Sequence, residues 1–353
     1  MLFQLAVVIA VLVAPPKHAT HSWPETLGAS IVASGPPAVA LPTVDGWAGA
    51  DGGYTVRLDA SRRLWLFADT WLGKITGQRR PDGRIVSNSI GIERVVKGKS
   101  QFHYCWGQDG GAFFRNARPG EWYWPLDGVW VGDKLVIVLN RVKKTDPSSP
   151  FGFMNMGQDM AVIAPNKRPP EAWPATIREL GSFRYQVGIA AVTDQRFLYL
   201  FMDDQDPKHV IRLARMPAKD AISGEPALEF YAGNHSWSKD PAEAVSLFPG
   251  APEMSVRREP KTRRWIALFT EGGLSSSVLE VSSATLTGPW SKPALIFTCP
   301  ETAWSPRYYC YGAKQIAPLD EGEPLSFVYN VNSFDFGDLG RDARIYVPRI
   351  VVP

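Results

Sequence analysis

The sequence predicts an all-β protein, a single-domain five-bladed β-propeller, and three observations carry that reading. One hairpin pattern recurs five times along the chain. The 31 Gly and 30 Pro are scattered among short apolar runs, which separates many strands with many turns. No long stretch has the periodicity of an amphipathic helix. A chain of 353 residues can bury one large core, and no linker divides it into two.

The first copy, residues 47–71, sets the pattern. Tyr54, Val56 and Leu58 alternate with Thr55 and Arg57, and residues 64–68 form a continuous apolar run of strand length. The polar residues 59–63 supply the turn. A turn centred on Ala60 sets Asp51 opposite Asp69, with Cβ atoms roughly 4.5 to 5.5 Å apart. A slip of one residue faces Asp51 with Thr70 or Ala68 instead and moves a carboxylate to the other side of the sheet.

The second copy covers residues 122–142 and turns at Gly132 and Asp133; the third covers 185–204 and turns at Asp194 and Gln195. The fourth, 252–272, turns near Pro260, and the fifth, 311–333, near Glu321. Strand candidates at 89–96, 160–164, 209–215, 278–283 and 343–352 complete the units. Radial repetition of such units leaves few exposed edges, which is the logic of a propeller. A two-sheet sandwich could use the same strands but would not require the same glycine or acid opening to recur.

Residues 1–20 read as a secretory signal, because the apolar run at 5–14 is too short to span a bilayer. No basic residue precedes that run and Pro15 and Pro16 follow it directly, so a buried or frayed N-terminus is the alternative. Residues 21–40 read as an extended leader and 41–353 as the propeller, giving a secreted or periplasmic protein. The 38 basic and 35 acidic side chains form no long run of like charge, which argues against nucleic-acid binding by phosphate neutralisation. Three cysteines leave at least one unpaired, and Cys299 could bridge to Cys310 in an exported chain. There is no CxxC and the five histidines lack ligand spacing, so no metal or other cofactor is expected, although a calcium ion in an acid-lined channel needs no sequence signature.

In a propeller the first strand of each blade lines the channel, so the residues opening each copy converge: Asp51, Asp127, Gln186, Glu253, and Tyr311 with Lys314 and Gln315. GxSxG, P-loop, GxGxxG and HExxH motifs are absent. What remains is a cluster of carboxylates with aromatic neighbours. Paired carboxylates flanking a sugar bond are the apparatus of glycosidases, and like charges held close prepare one member to be the acid. Asp51 and Asp69 are therefore the expected catalytic pair, leaning towards retention if directly opposed. Asp127, Glu253, Tyr311, Lys314, Gln315, Trp71 and Trp124 are the expected substrate-binding residues. Structural alternatives stand beside these roles. Asp51 sits in a Gly-Ala-Asp-Gly-Gly turn, Asp127 precedes Gly128 in a similar setting, and Glu253 could pair with an arginine such as Arg257.

The segments GADGGY, LWLFADTWLG, WPLDGVWVGDKL, PEMSVR, SSATLTGPW, YYCYGAKQ, YNVNS and DARIYVPR resemble a five-bladed propeller family long catalogued as a domain of unknown function. Members of that family are assigned as endo-D-arabinanases acting on mycobacterial cell-wall arabinan. The resemblance runs from about residue 45 to the C-terminus and is weakest in the third blade. It implies a hydrolase of furanosidic, arabinan-like polysaccharide with Asp51 and Asp69 as its pair. A looser resemblance to arabinanase and fructosidase propellers implies instead a triad of Asp51, Asp127 and Glu253. The expected partner is a polysaccharide or oligosaccharide bound by a monomer, with neither nucleic acid nor membrane involved. A non-catalytic carbohydrate-binding propeller is the alternative, and a protein-interaction propeller a third reading.

Overall fold

The computed structural model describes residues 38–352 apart from residue 45, residues 81–82, residues 147–151 and residue 324. The expected signal and most of the expected leader lie outside the described residues.

Five antiparallel sheets follow one another along the chain. Blade 1 is built from Trp47–Arg57, Arg62–Gly73, Ser89–Val96 and Lys99–Cys105, with Gly83–Val86 added to the end of its second strand. Blade 2 comprises Glu121–Val131, Lys134–Lys144, Phe153–Ile163 and Ala175–Gly181. Blade 3 begins Gln186–Thr193, Phe197–Asp203 and Val210–Pro217, and blade 4 is Met254–Arg258, Trp265–Thr270, Ser277–Ser283 and Ala294–Thr298. Blade 5 runs Tyr308–Gln315, Phe327–Ser333 and Arg349–Val351, and its outer strand is Val39–Ala40 from the other end of the described chain. The expected leader thus gives its last two residues to the sheet that closes the ring.

The five inner strands touch in sequence, and that of blade 5 touches that of blade 1. The five repeats expected from the sequence are the inner hairpins of this five-bladed propeller, each with its turn where the pattern puts it. Each second strand is sandwiched between neighbouring strands and packed on both faces, which is why Leu64, Leu66, Leu135, Ile137, Leu198 and Leu200 are fully buried. A continuous apolar core passes through blades 1 to 4, and a second cluster fills blade 5 around Tyr329 and Val331.

The inner strands have a free edge towards the channel, and side chains from other blades satisfy it. The Tyr54 hydroxyl donates to Ile189 O at 2.9 Å, Asn330 Nδ2 donates to Gly52 O at 2.7 Å, and the Ala317 N–H donates to Thr55 Oγ1 at 2.8 Å. The hairpins of blades 1, 2, 3 and 5 are bulged beside Gly52, Gly128, Gly188 and Gly312, whereas blade 4 pairs in regular register. A bulge adds one residue to one strand and re-aims the side chains beyond it. That decides which opening residues reach the cavity described next.

Candidate active site

The blade 1 bulge sets the site. The register expected from a turn at Ala60 holds from Arg57 to Tyr54 and again at Ala50 opposite Thr70, but shifts between them where Gly52 faces Phe67. Gly52 (φ +88°) and Gly53 (φ +99°) take left-handed backbone, which costs other residues dearly. Asp51 and Asp69 lie within this irregular stretch instead of opposing each other in a regular ladder. Both line one cavity of about 590 Å³, to which the opening residues of all five inner strands contribute.

Tyr346 ties the two acids together. Its hydroxyl lies 2.9 Å from the Asp69 carbonyl oxygen and 3.3 Å from Asp51 Oδ2. A phenol has one proton, and the shorter contact takes it; a protonated Asp51 is then placed to donate to the phenol oxygen. Burial, reinforced by the negative charges of Asp69 and Glu253, holds the Asp51 carboxyl well above the usual carboxylate range, against the opposing pull of Lys314 and Tyr346. Among the described residues its Oδ1 is buried without a hydrogen-bond partner. Burial also lifts Asp69 to about 6, while the Trp124 indole N–H, 2.8 Å from Oδ1, and the charge of Lys144 hold it down. Burial thus favours the protonated form of both carboxyls, and the negative charge of Asp69 adds to that preference at Asp51.

The backbone at Tyr346 is itself left-handed (φ +61°), a strained conformation for a residue with a side chain. Its N–H donates to Val331 O at 2.8 Å. A Cβ on Gly49 would lie 2.2 Å from the Tyr346 carbonyl oxygen, so only glycine admits this approach. The buried Arg80 guanidinium donates to Ala48 O at 2.7 Å, Leu339 O at 2.7 Å and Ile345 O at 2.9 Å, clamping the segment before Tyr346 onto blade 1. Burial brings that guanidinium down to about 10.

Of the residues expected from sequence, Asp51, Asp69, Trp124, Glu253 and Tyr311 line the cavity, whereas Asp127, Lys314, Gln315 and Trp71 do not. Asp127 lies within the blade 2 bulge, between Pro125 and Gly128, and is fully buried. Arg257 grips both its oxygens at 2.8 and 2.9 Å, and the amides of Gly128 and Ala191 donate to them at 2.9 and 3.0 Å. A carboxylate saturated in this way joins blades 2, 3 and 4. Arg257 is thus the partner of Asp127 and not of Glu253, whose Oε2 accepts from Lys314 Nζ at 2.5 Å. Lys314 stands behind the wall, also donating to Gly312 O at 2.7 Å and lying over the Tyr54 ring. The Gln315 side chain is buried with its Oε1 3.3 Å from the Ser255 hydroxyl. Trp71 packs under the Arg80 guanidinium and against Gly83, where a Cβ would overlap the indole.

Sequence reasoning did not single out Tyr346, Asn332 or His209, which line the cavity together with Trp122, one of the aromatic neighbours expected around the acids. Tyr346 lies within the DARIYVPR segment, the one signal that pointed near it. His209 had none. Its Nδ1 is 3.1 Å from Asp203 Oδ2. Burial opposes charge on the imidazole, but the Asp203 hydrogen bond and the charges of Asp203, Asp204 and Asp206 prevail and raise it. Among the described residues no three His, Cys, Asp or Glu donors converge in this cavity. The trios that do converge are Cys299–Glu301–Cys310, whose cysteines are joined as a disulfide, and His103–Cys105–Glu171 on the outside of blade 1.

A five-bladed propeller with an acid pair in a cavity built by all five inner strands is the class that fold and site define. The chain belongs to the family described as a domain of unknown function (DUF5005), which matches residues 41–351. Among solved structures it is similar to a candidate hydrolase from Bacteroides ovatus ATCC 8483, at 17% identity and a TM-score of 0.68 over 86% of this chain and 85% of that one. It is also similar to a GH43_1 enzyme from Xanthomonas citri complexed with xylose, at 13% identity and a TM-score of 0.48 over 89% and 90% of the two chains. The catalytic domain of a Coprinopsis cinerea GH62 α-L-arabinofuranosidase gives 12% identity and a TM-score of 0.48 over 90% and 95%. No curated protein matches by sequence. At these identities structural likeness speaks for the fold alone.

Proposed function

We propose that this protein is a glycoside hydrolase that cleaves a furanosidic, arabinan-like polysaccharide with Asp51 as the proton donor and Asp69 as the nucleophile or base. The observation that carries the reading is the pairing of the two acids: both line one cavity, the Tyr346 hydroxyl lies against both residues, and burial raises both carboxyls, with the charge of Asp69 adding to the preference of Asp51 for its proton. Trp122, Trp124, Tyr309 and Tyr311 on the same walls offer flat faces to sugar rings. Glu253, held by Lys314, suits binding of hydroxyl groups. The furanosidic substrate comes from the motif resemblance. The apolar run at residues 5–14 and the Cys299–Cys310 bridge favour an oxidising compartment outside the cytoplasm.

The test is release of reducing ends from D- and L-arabinans, galactofuranans and fructans by the purified protein. Activity should appear on an arabinan and fall by about 10²- to 10⁴-fold in Asp51→Asn and in Asp69→Asn. Full activity in either variant removes that residue from the mechanism. Saturable binding of arabinan with no release of reducing ends would establish the carbohydrate-binding reading instead.

A further inference from the structure

We propose that His103, Cys105 and Glu171 form a binding site for a zinc-class divalent cation, separate from the acid-lined cavity. His103 and Cys105 are two apart on Lys99–Cys105, the outer strand of blade 1, so both side chains leave the same face. Glu171 arrives from the turn Pro170–Ala172, which connects the last two strands of blade 2. The ring nitrogen, sulfur and carboxylate oxygen of the three residues lie within 4.8 Å of one another. Tetrahedral zinc, with bonds of roughly 2.0 to 2.3 Å, holds its ligands roughly 3.3 to 3.8 Å apart. Closing the trio takes about an ångström of movement, and two of its members, His103 and Glu171, are exposed side chains with rotamers to spare.

The donor set chooses the ion. Thiolate, imidazole and carboxylate together suit zinc or cobalt, whereas calcium and magnesium take oxygen ligands. A pocket of about 450 Å³ lined by Cys105, Trp106, Gln108 and Glu171 opens beside two of the three donors and would leave a fourth position accessible to water. Cys105 has little else to do chemically. It is buried, and the other two cysteines are bridged to each other. A metal ion replaces the thiol proton: the S–H bond breaks, the metal–sulfur bond forms, and one proton leaves to solvent with no change of oxidation state. The ion would clasp the outer strand of blade 1 to blade 2.

Titration of the tag-free full chain with Co²⁺ tests this directly. Cys105 is the sole unbridged cysteine, so a thiolate-to-cobalt charge-transfer band reports on it alone. The expected result is a band that saturates at one equivalent, is displaced by Zn²⁺, and vanishes in Cys105→Ser. His103→Ala and Glu171→Gln alter exposed residues and should each weaken cobalt binding at least ten-fold. No band, or a band of equal affinity in both exposed-residue variants, overturns the proposal. Reducing-end release, if present, should be unaffected by His103→Ala, so this test and that of the glycosidase reading fail independently.

Discussion

Asp69→Asn should make the protein more stable while removing its activity. Asp69 ionises at about 6 in the folded chain against an ordinary 3.8, mainly because burial penalises the charge. At 1.36 kcal/mol per pKa unit, the gap corresponds to about 3 kcal/mol of stability forfeited when the carboxylate is charged. The group lines a cavity open to water, which screens part of this cost, so a gain of about 1 to 3 kcal/mol is expected from the neutral amide. Asparagine keeps an oxygen to accept the Trp124 indole N–H, so the hydrogen bond survives the substitution.

The sign with pH is fixed. Because the folded pKa is the higher one, the folded state holds its proton more tightly than the unfolded chain, and wild-type stability falls as pH rises from about 3.8 to about 6. Below that window wild type and Asp69→Asn should differ little; above it the full gap should persist. Urea unfolding at pH 3.5, 5 and 7.5 measures this, and a thermal scan should show a midpoint raised by about 2 to 6 °C at pH 7.5. A variant less stable than wild type at pH 7.5, or a gap independent of pH, would falsify the assignment of Asp69 as a buried, strained carboxylate.

Two further substitutions separate the roles of the neighbouring groups. Trp124→Phe removes the N–H that favours the charged form of Asp69, so the acidic limb of the kcat/KM profile should move to higher pH by about one unit, and an unmoved limb would mean that Asp69 does not set it. Arg257→Met strands the buried Asp127 and should cost about 3 to 5 kcal/mol in urea unfolding, with reducing-end release per folded molecule unchanged; a selective loss of turnover would return Asp127 to the catalytic machinery.

The parts of this protein legible in its sequence are those fixed by neighbours along the chain. Alternating residues around a short polar break specify a hairpin, and five such hairpins specify the ring, because each repeats the same local pattern. Asp51 and Asp69 were legible for the same reason, since they flank one turn. Asp127 was not. The opening segments of blades 1 and 2 look equivalent as text, but the bulge beside Gly128 puts Asp127 past the cavity and into the wall. The exchange of partners between Arg257 and Lys314 likewise depends on depth along the channel, which no spacing within one strand encodes. Tyr346, 295 residues from Asp51, reaches it only because Arg80 and Gly49 let a strained backbone lie against blade 1. Depth also explains which acids stay reactive. An acid inside the wall is stable there when cations and backbone amides saturate it, as Arg257 and two N–H groups saturate Asp127, and such a carboxylate has no lone pair left for chemistry. Asp51, short of the wall, meets a phenol instead of a guanidinium and keeps one oxygen without a partner. Its raised affinity for a proton is the consequence, so the same packing that leaves it poorly solvated is what suits it to the proton-donor role proposed above.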